Sequence, residues 1–442
     1  MLYVPLNAVP GTPVLTPVVN AINTYGYFPS PSMTMTMVDG NNLLDSRVTF
    51  TRADSVTCAT YFNSSGVLAT AAANVARFDY DPSTTPATPR GLLIEESRTN
   101  LLTYSRDMTN AAWTKTDTTP TRTQVGIDGT ANSACLMTEG STLTAYTITA
   151  AGATVTAGAT ITASLVMKYG NCPWIRINCT DQTGANGYAA WFNIQTGTLG
   201  STGALGTGTA VTSSITNLGG GWYRCVVSCI PSGSYTSAGC SFNSASANGN
   251  TNRVSGATYT VDMAQLEVGA FATSPIATTS AAVTRAADTP SMSGVSFTSW
   301  WNASQGTFVA KGIFTSQLTT NSYPNLFDVS DGTVNNQIQI FKQSNLNSVS
   351  HNVTVATTSY QNADGVPNIG VNKAAISYIA GTSNASLNGA AVVSSSPPSI
   401  PAMSNLQLGK GWWAGDYLNG WLQSLVYYPT ALSSAQLQAL TT

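Results

Sequence analysis

Short stretches rich in Val, Ile, Thr, Tyr, Phe and Trp recur along this chain, each closed by Gly, Asn or Pro, and no other feature restricts its fold as much. Thr160–Tyr169, Trp174–Cys179, Gly187–Ile194, Trp222–Ile230 and Thr258–Val268 alternate or are β-branched and aromatic. Gly306–Phe314, Asn325–Val329, Asn336–Phe341, Ala374–Ile379 and Gly420–Tyr428 repeat the pattern. Such residues suit a pleated surface, and many short strands separated by turns predict β-sandwiches. Composition agrees: only 8% of the 442 residues are charged, against about a quarter in an average soluble protein. Ser, Thr, Gly, Asn and Ala take the places that Lys and Glu hold on helical surfaces. One helix is predicted near the end, where Ser433 and Gln436 have capping-box spacing and Leu432, Leu437 and Leu440 form a short apolar face. Sustained heptads are absent, so no coiled-coil stalk is expected.

Charge excludes two classes of partner. A net charge of -2 offers no electrostatic footprint for nucleic acid or an anionic membrane. Hydrophobic residues stand at 43% with mean hydropathy +0.04, and no apolar run approaches the roughly 20 residues of a spanning helix. The start has neither the basic nor the apolar region of a signal peptide. The seven cysteines are odd in number and lack paired CxxC spacing, so free, mostly buried thiols are expected, with no disulfide framework and no zinc site. That usage fits a chain made in a reducing cytoplasm and used outside the cell.

Four parts follow from the composition shifts. Residues 1–45 carry Pro5, Pro10, Pro13, Pro17, Pro29 and Pro31 and are expected as an extended anchoring arm, with Met33–Met37 as an edge strand. Residues 46–102 form a connector, 103–285 a first sandwich of jelly-roll type, and 286–442 a second sandwich. The Thr51–Asp54 sequence TRAD is echoed by TRAAD ending at Asp288, as though a similar junction introduces each module.

The connector is the most specific signal. Thr51-Arg-Ala-Asp-Ser55, Ala59-Thr-Tyr61, Gly66, Arg77-Phe-Asp-Tyr-Asp-Pro82 and Arg90-Gly-Leu-Leu-Ile-Glu-Glu-Ser-Arg-Thr-Asn-Leu-Leu102 resemble a segment of bacteriophage head-fibre and tail-fibre (spike) proteins. In those families it precedes a carbohydrate-binding-like jelly roll, and Gly221-Trp-Tyr-Arg224, Ala264-Gln-Leu-Glu-Val-Gly269 and Ala272-Thr-Ser-Pro-Ile276 match that domain as well. The C-terminal part resembles a concanavalin A-like lectin sandwich through Trp300-Trp-Asn302, Gly306-Thr307, Leu408-Gly409, Gly420 and Tyr427–Leu440. The resemblance implies an all-β structural virion protein on the particle surface, made in the host cytoplasm and assembled as a homotrimer. Its implied partners are other virion proteins (capsid, neck or tail) through residues 1–45, and host surface glycans. It carries no catalytic set.

The residues themselves offer little chemistry. His351 is the only histidine, so a Ser–His–Asp triad would have to use it, and no GxSxG elbow accompanies it. One histidine makes no His-based metal cluster, and Asp328-Val-Ser-Asp-Gly332 reads as a strand ending in a turn in preference to a calcium loop. No cofactor is expected. The rival to an adhesive protein is a tailspike polysaccharide depolymerase, whose glycosidase chemistry needs paired carboxylates. Glu95, Glu96, Glu139 and Glu267 are the only glutamates, and the charge cluster Arg90, Glu95, Glu96 and Arg98 reads as ion pairs locking the arm to the first sandwich. Neither the stacked repeats of a β-helix nor an acidic ExDxxE strand is present. Sugar binding has better support, because aromatic rings stack on apolar sugar faces. The expected platforms are Trp174, Tyr188 and Trp191 in the first sandwich and Trp412, Trp413 and Tyr417 in the second, with Trp222 and Trp421 expected in the core.

Overall fold

The computed structural model describes residues 28–141, 148–314, 323–343, 347–413 and 415–442. These residues form two β-sandwiches with two short helices, Val295–Thr298 and Ser434–Thr441. The first pairs two six-stranded antiparallel sheets. One runs Thr209–Asn217, Trp222–Ile230, Ile161–Tyr169, Thr258–Val268, Ala134–Glu139, Thr118–Gln124. The other runs Thr198–Leu205, Gly187–Asn193, Trp174–Asp181, Ser237–Ala245, Ile148–Thr154, Thr114–Lys115. Alternation decides what lies between them: Ile161, Ala163, Leu165 and Met167 from one sheet meet Ile175, Ile177, Cys179 and Phe242 from the other. All seven cysteines are buried free thiols, and several belong to this core.

The second sandwich stacks an eight-stranded sheet on a seven-stranded one. At its centre Phe308 lies 4.5 Å from Phe327 and 4.7 Å from Tyr427, ring centre to ring centre, so the two sheets meet through aromatic packing. The expected helix spans Ser434–Thr441, with Ser433 and Gln436 closing a reciprocal capping box. Among the described residues no helix is long and apolar enough to cross a membrane.

Sheet pairing crosses the boundaries drawn from the sequence. Phe78–Asp81 and Thr88–Ile94 of the connector complete the eight-stranded sheet beside Gly420–Tyr428, and Thr49–Thr51 pairs with Thr289–Ser293. The arm needs a correction over its later half. Met33–Thr36 is a strand paired with Ser424–Tyr427 of the same chain, and Met33, Met35 and Met37 are buried in the second core. The alternation that predicted a strand also gave it an apolar face, and that face is covered from within the chain. Residues 1–27 of the expected arm lie outside the described residues.

The two TRA-D motifs meet at one junction. Arg52, Arg77 and Arg285 are interleaved there with Asp54, Glu95 and Asp288. Arg52 lies 2.5 Å from Asp54 and 3.1 Å from Asp288, Arg77 pairs with Asp288 and lies 2.8 Å from Glu95, and the Ala286 amide donates to Asp54 at 2.7 Å. The charge cluster of the connector therefore locks the two sandwiches to each other: Glu95 accepts from the amide and hydroxyl of Ser274, each at 2.7 Å, while Glu96 accepts from Asn419. Burial alone would push the Glu95 carboxyl up, but the Arg285 and Arg77 guanidiniums outweigh it and hold the group down at about 2.

Candidate functional site

The structure separates the six expected aromatic residues. Strand alternation puts Trp174 and Trp191 on the outer face of the first sandwich, whereas Tyr188 packs toward the inner core and its hydroxyl lies 3.2 Å from that of Thr202. Those three side chains form no common platform. Trp191 is also buried, with Arg176 over its ring at 5.1 Å and its Nε1 donating to the Asn250 carbonyl at 2.6 Å. Only the half-buried Trp174 offers ring surface on that face.

The second group behaves differently. Leu408 and Leu418 are buried and anchor a hairpin whose tip carries Trp412 and Trp413, 39% and 61% exposed. Gly409 begins the excursion at φ 61°, where a Cβ would stand 2.2 Å from the Ile94 side chain, so this turn requires glycine. Tyr417 sits at the base against the core, with the Lys410 ammonium 5.4 Å above its ring. Gly411 donates to the Asp416 carbonyl at 2.8 Å and closes the loop. Beneath it, burial pushes Asp416 up to about 7 and Asp328 up to about 8. Water contact with two adjacent indoles costs free energy that burial would recover, and here the hairpin holds both out.

Sequence reasoning missed a cleft of about 580 Å³ between the sandwiches. Its floor is the outer face of the Thr209–Asn217 and Trp222–Ile230 strands, beside the place where the connector hairpin docks through Phe62 and Leu68. Trp421, expected in the core, is half-buried and lines this cleft, its Nε1 donating to Asp79 at 2.8 Å and Arg90 lying 5.1 Å over its ring. Burial raises Asp79 to about 6 against the hydrogen bonds from the Phe62 amide and Trp421. No local signal marks this place, because Asp79, Arg224, Lys342 and Trp421 come from four distant parts of the chain.

His351 is fully buried, and its Nδ1 lies 2.6 Å from Asp364 while its Nε2 lies 3.5 Å from the Ser395 hydroxyl. The order matches a triad, with the serine contact long. The Ser395 hydroxyl also lies 3.1 Å from the Tyr360 carbonyl and 2.5 Å from the Ser383 hydroxyl, so the imidazole competes with nearer partners for its proton. The glutamates are also engaged: Glu139 with Arg253, Ser244 and Tyr259, and Glu267 with Thr273. Asp331 accepts from Thr333 and Asn336 in a turn, and Asp328 from Gln337. Among the described residues no cluster of three His, Cys, Asp or Glu side chains has metal-binding geometry.

No protein-family model matches the chain, and no curated protein does. Among solved structures, 32% of the chain is similar to a CBM40 module of the Ruminococcus gnavus IT-sialidase bound to α2,3-sialyllactose, at 19% identity over 84% of that chain with a TM-score of 0.27. The NanB sialidase of Streptococcus pneumoniae is matched over 34% of this chain and 26% of its own, at 19% identity and a TM-score of 0.29. Domain 4 of AbnA, a GH43 arabinanase from Geobacillus stearothermophilus in complex with arabinotriose, is matched over 35% of this chain and 73% of its own, at 17% identity and a TM-score of 0.29. Likeness of this extent carries no functional argument.

Proposed function

We propose that this chain is a non-enzymatic adhesion protein of a bacteriophage surface, a fibre, spike or decoration subunit that meets host glycans through its second sandwich. The observation that carries the adhesive part is the Trp412–Trp413 pair held exposed at a hairpin tip. Two adjacent indoles on a rigid sandwich supply stacking surface for sugar rings at small entropic cost. The particle-associated part rests on the connector motif and its resemblance to head-fibre and tail-fibre proteins. Self-association has separate support. The edge strands Thr198–Leu205 and Thr209–Asn217 are largely exposed and contain no charged residue and no proline, so they lack the devices that keep a sheet edge from pairing. A homotrimer would cover such edges. The occupied glutamates favour this reading over a depolymerase.

A printed array of neutral oligosaccharides, probed with the full chain and with its Trp412→Ala/Trp413→Ala variant, tests the adhesive reading. Binding that the double substitution abolishes is the expected result; no binding to any glycan, or binding the variant keeps, would sink it. Attachment is tested by deleting residues 1–27, which leaves the paired strand at Met33–Thr36 in place. The truncated chain should fold, bind glycans and fail to enter particles.

A further inference from the structure

We propose that the cleft between the sandwiches is a second binding site, separate from the hairpin tip, that takes an acidic saccharide, with Lys342 and Arg224 receiving its carboxylate. Lys342 ends the strand Gln337–Lys342, lines the cleft and is only 3% exposed. Among the described residues no carboxylate lies within ion-pair distance of its ammonium, and burial lowers its proton affinity with nothing opposing. Arg224 lines the same cleft from the first sandwich. One of its terminal nitrogens donates to Ser164 at 2.9 Å, but its Nε is buried without a partner. Glu267 and Glu95 act on Arg224 through space, but among the described residues no carboxylate lies within ion-pair distance of it, so a ligand carboxylate would supply the close partner that Lys342 and Arg224 lack.

The other charged groups of the cleft are already satisfied. Arg90 lies 3.2 Å from Asp81, Glu95 is held by Arg77 and Arg285, and Asp79 accepts from the Phe62 amide and Trp421. Lys342 is therefore the unpaired charge of the cleft, and Arg224 is offset only at longer range by Glu267 and Glu95. The neutral walls of the cleft select the rest of the ligand. Trp421 presents ring surface, the edge of the buried Phe271 adds apolar wall, and Ser214 and Thr216 present hydroxyls from the floor strand. Flat apolar walls, a hydroxyl floor and two cations suit a sugar ring bearing a carboxylate better than a bare inorganic anion. The volume falls within the roughly 300–1,000 Å³ of small-molecule sites.

The test is titration of the full chain with trigalacturonate, followed by calorimetry, beside its methyl ester and neutral galactotriose. The acidic trisaccharide should bind, and the ester should bind at least about tenfold more weakly, since a charge-assisted hydrogen bond is worth that factor or more. Lys342→Met and Arg224→Gln should each weaken trigalacturonate by about the same factor. Lys342→Met removes no ion pair and should fold, and the ester comparison needs no variant at all. Trp412→Ala/Trp413→Ala should leave this binding unchanged, so failure here and failure at the hairpin tip are distinguishable. An ester that binds equally well, an affinity unmoved by both substitutions, or no uptake at millimolar concentration overturns the assignment.

Discussion

Replacing Asp288 by alanine removes the acceptor shared by the whole junction. Its carboxylate is fully buried, pairs with Arg77, lies 3.1 Å from Arg52 and 3.9 Å from Arg285, and accepts the Glu95 amide at 3.0 Å. Three guanidiniums and three carboxylates balance in the intact cluster, so Asp288→Ala leaves one positive charge uncompensated in a dry setting. Breaking a buried pair in this way costs about 3–5 kcal/mol, and the orphaned amide falls within that figure because the effects are coupled. Against a domain stability of about 5–15 kcal/mol, such a loss is severe. Asp288→Asn keeps an acceptor for the Glu95 amide and should lose less. Arg122→Gln is the control, because Arg122 is 42% exposed and 3.7 Å from Asp107; exposed pairs contribute about 0–1 kcal/mol. Urea unfolding of the three variants, read by circular dichroism and tryptophan fluorescence, measures each loss. If Asp288→Ala costs less than about 1 kcal/mol, the buried network does not hold the sandwiches as argued.

Three further outcomes are expected. Phe308→Ala, at a fully buried ring packed on Phe327 and Tyr427, should destabilise the second sandwich by about 3–5 kcal/mol in the same unfolding assay. Burial keeps Asp328 protonated up to about 8 when folded, whereas the unfolded carboxyl ionises near 3.8, so its contribution to stability is full below pH 3.8 and is lost as pH rises toward 8. Asp328→Asn should therefore raise the urea midpoint relative to the parent at pH 8 by more than at pH 4, and an equal difference at both pH values refutes the argument. A fluorophosphonate should leave Ser395 unlabelled in the folded chain, as the Tyr360 carbonyl and Ser383 hydroxyl lie nearer to it than the imidazole; stoichiometric labelling detected by mass spectrometry would reopen the hydrolase reading.

Local pattern carried most of the fold. Trp222–Ile230, Thr258–Val268 and Gly420–Tyr428 occupy the spans their alternation predicts, and Ser433 with Gln436 marks the helix start. Thr198–Leu205 and Thr209–Asn217 escaped notice because edge strands of Thr, Ser and Gly bury almost nothing and so show no apolar period. Proximity in sequence groups Tyr188 with Trp191, although a separation of three residues places two side chains on opposite faces of a strand. The exposed Trp412 and Trp413 were legible, since Gly and Asp around them mark a turn. The cleft was not, because nothing in the neighbourhood of Lys342 announces that Arg224 will face the same space.

The junction explains why that cleft can persist. Two sandwiches joined through a broad apolar face would close the gap between them, since every buried methylene lowers the free energy further. Here the join is made by oriented hydrogen bonds and ion pairs from Arg52, Arg77, Arg285, Glu95 and Asp288, which satisfy one geometry and lose their partners in any other. The connector supplies strands to the second sandwich and a hairpin to the outer face of the first, so it sets the spacing from both sides. The rest of the facing surface is then left unpacked, and Arg224 and Lys342 both line the space. A tilt of one sandwich would strand the junction charges before it buried the cleft, which is why the space and its two cations belong to the fold itself.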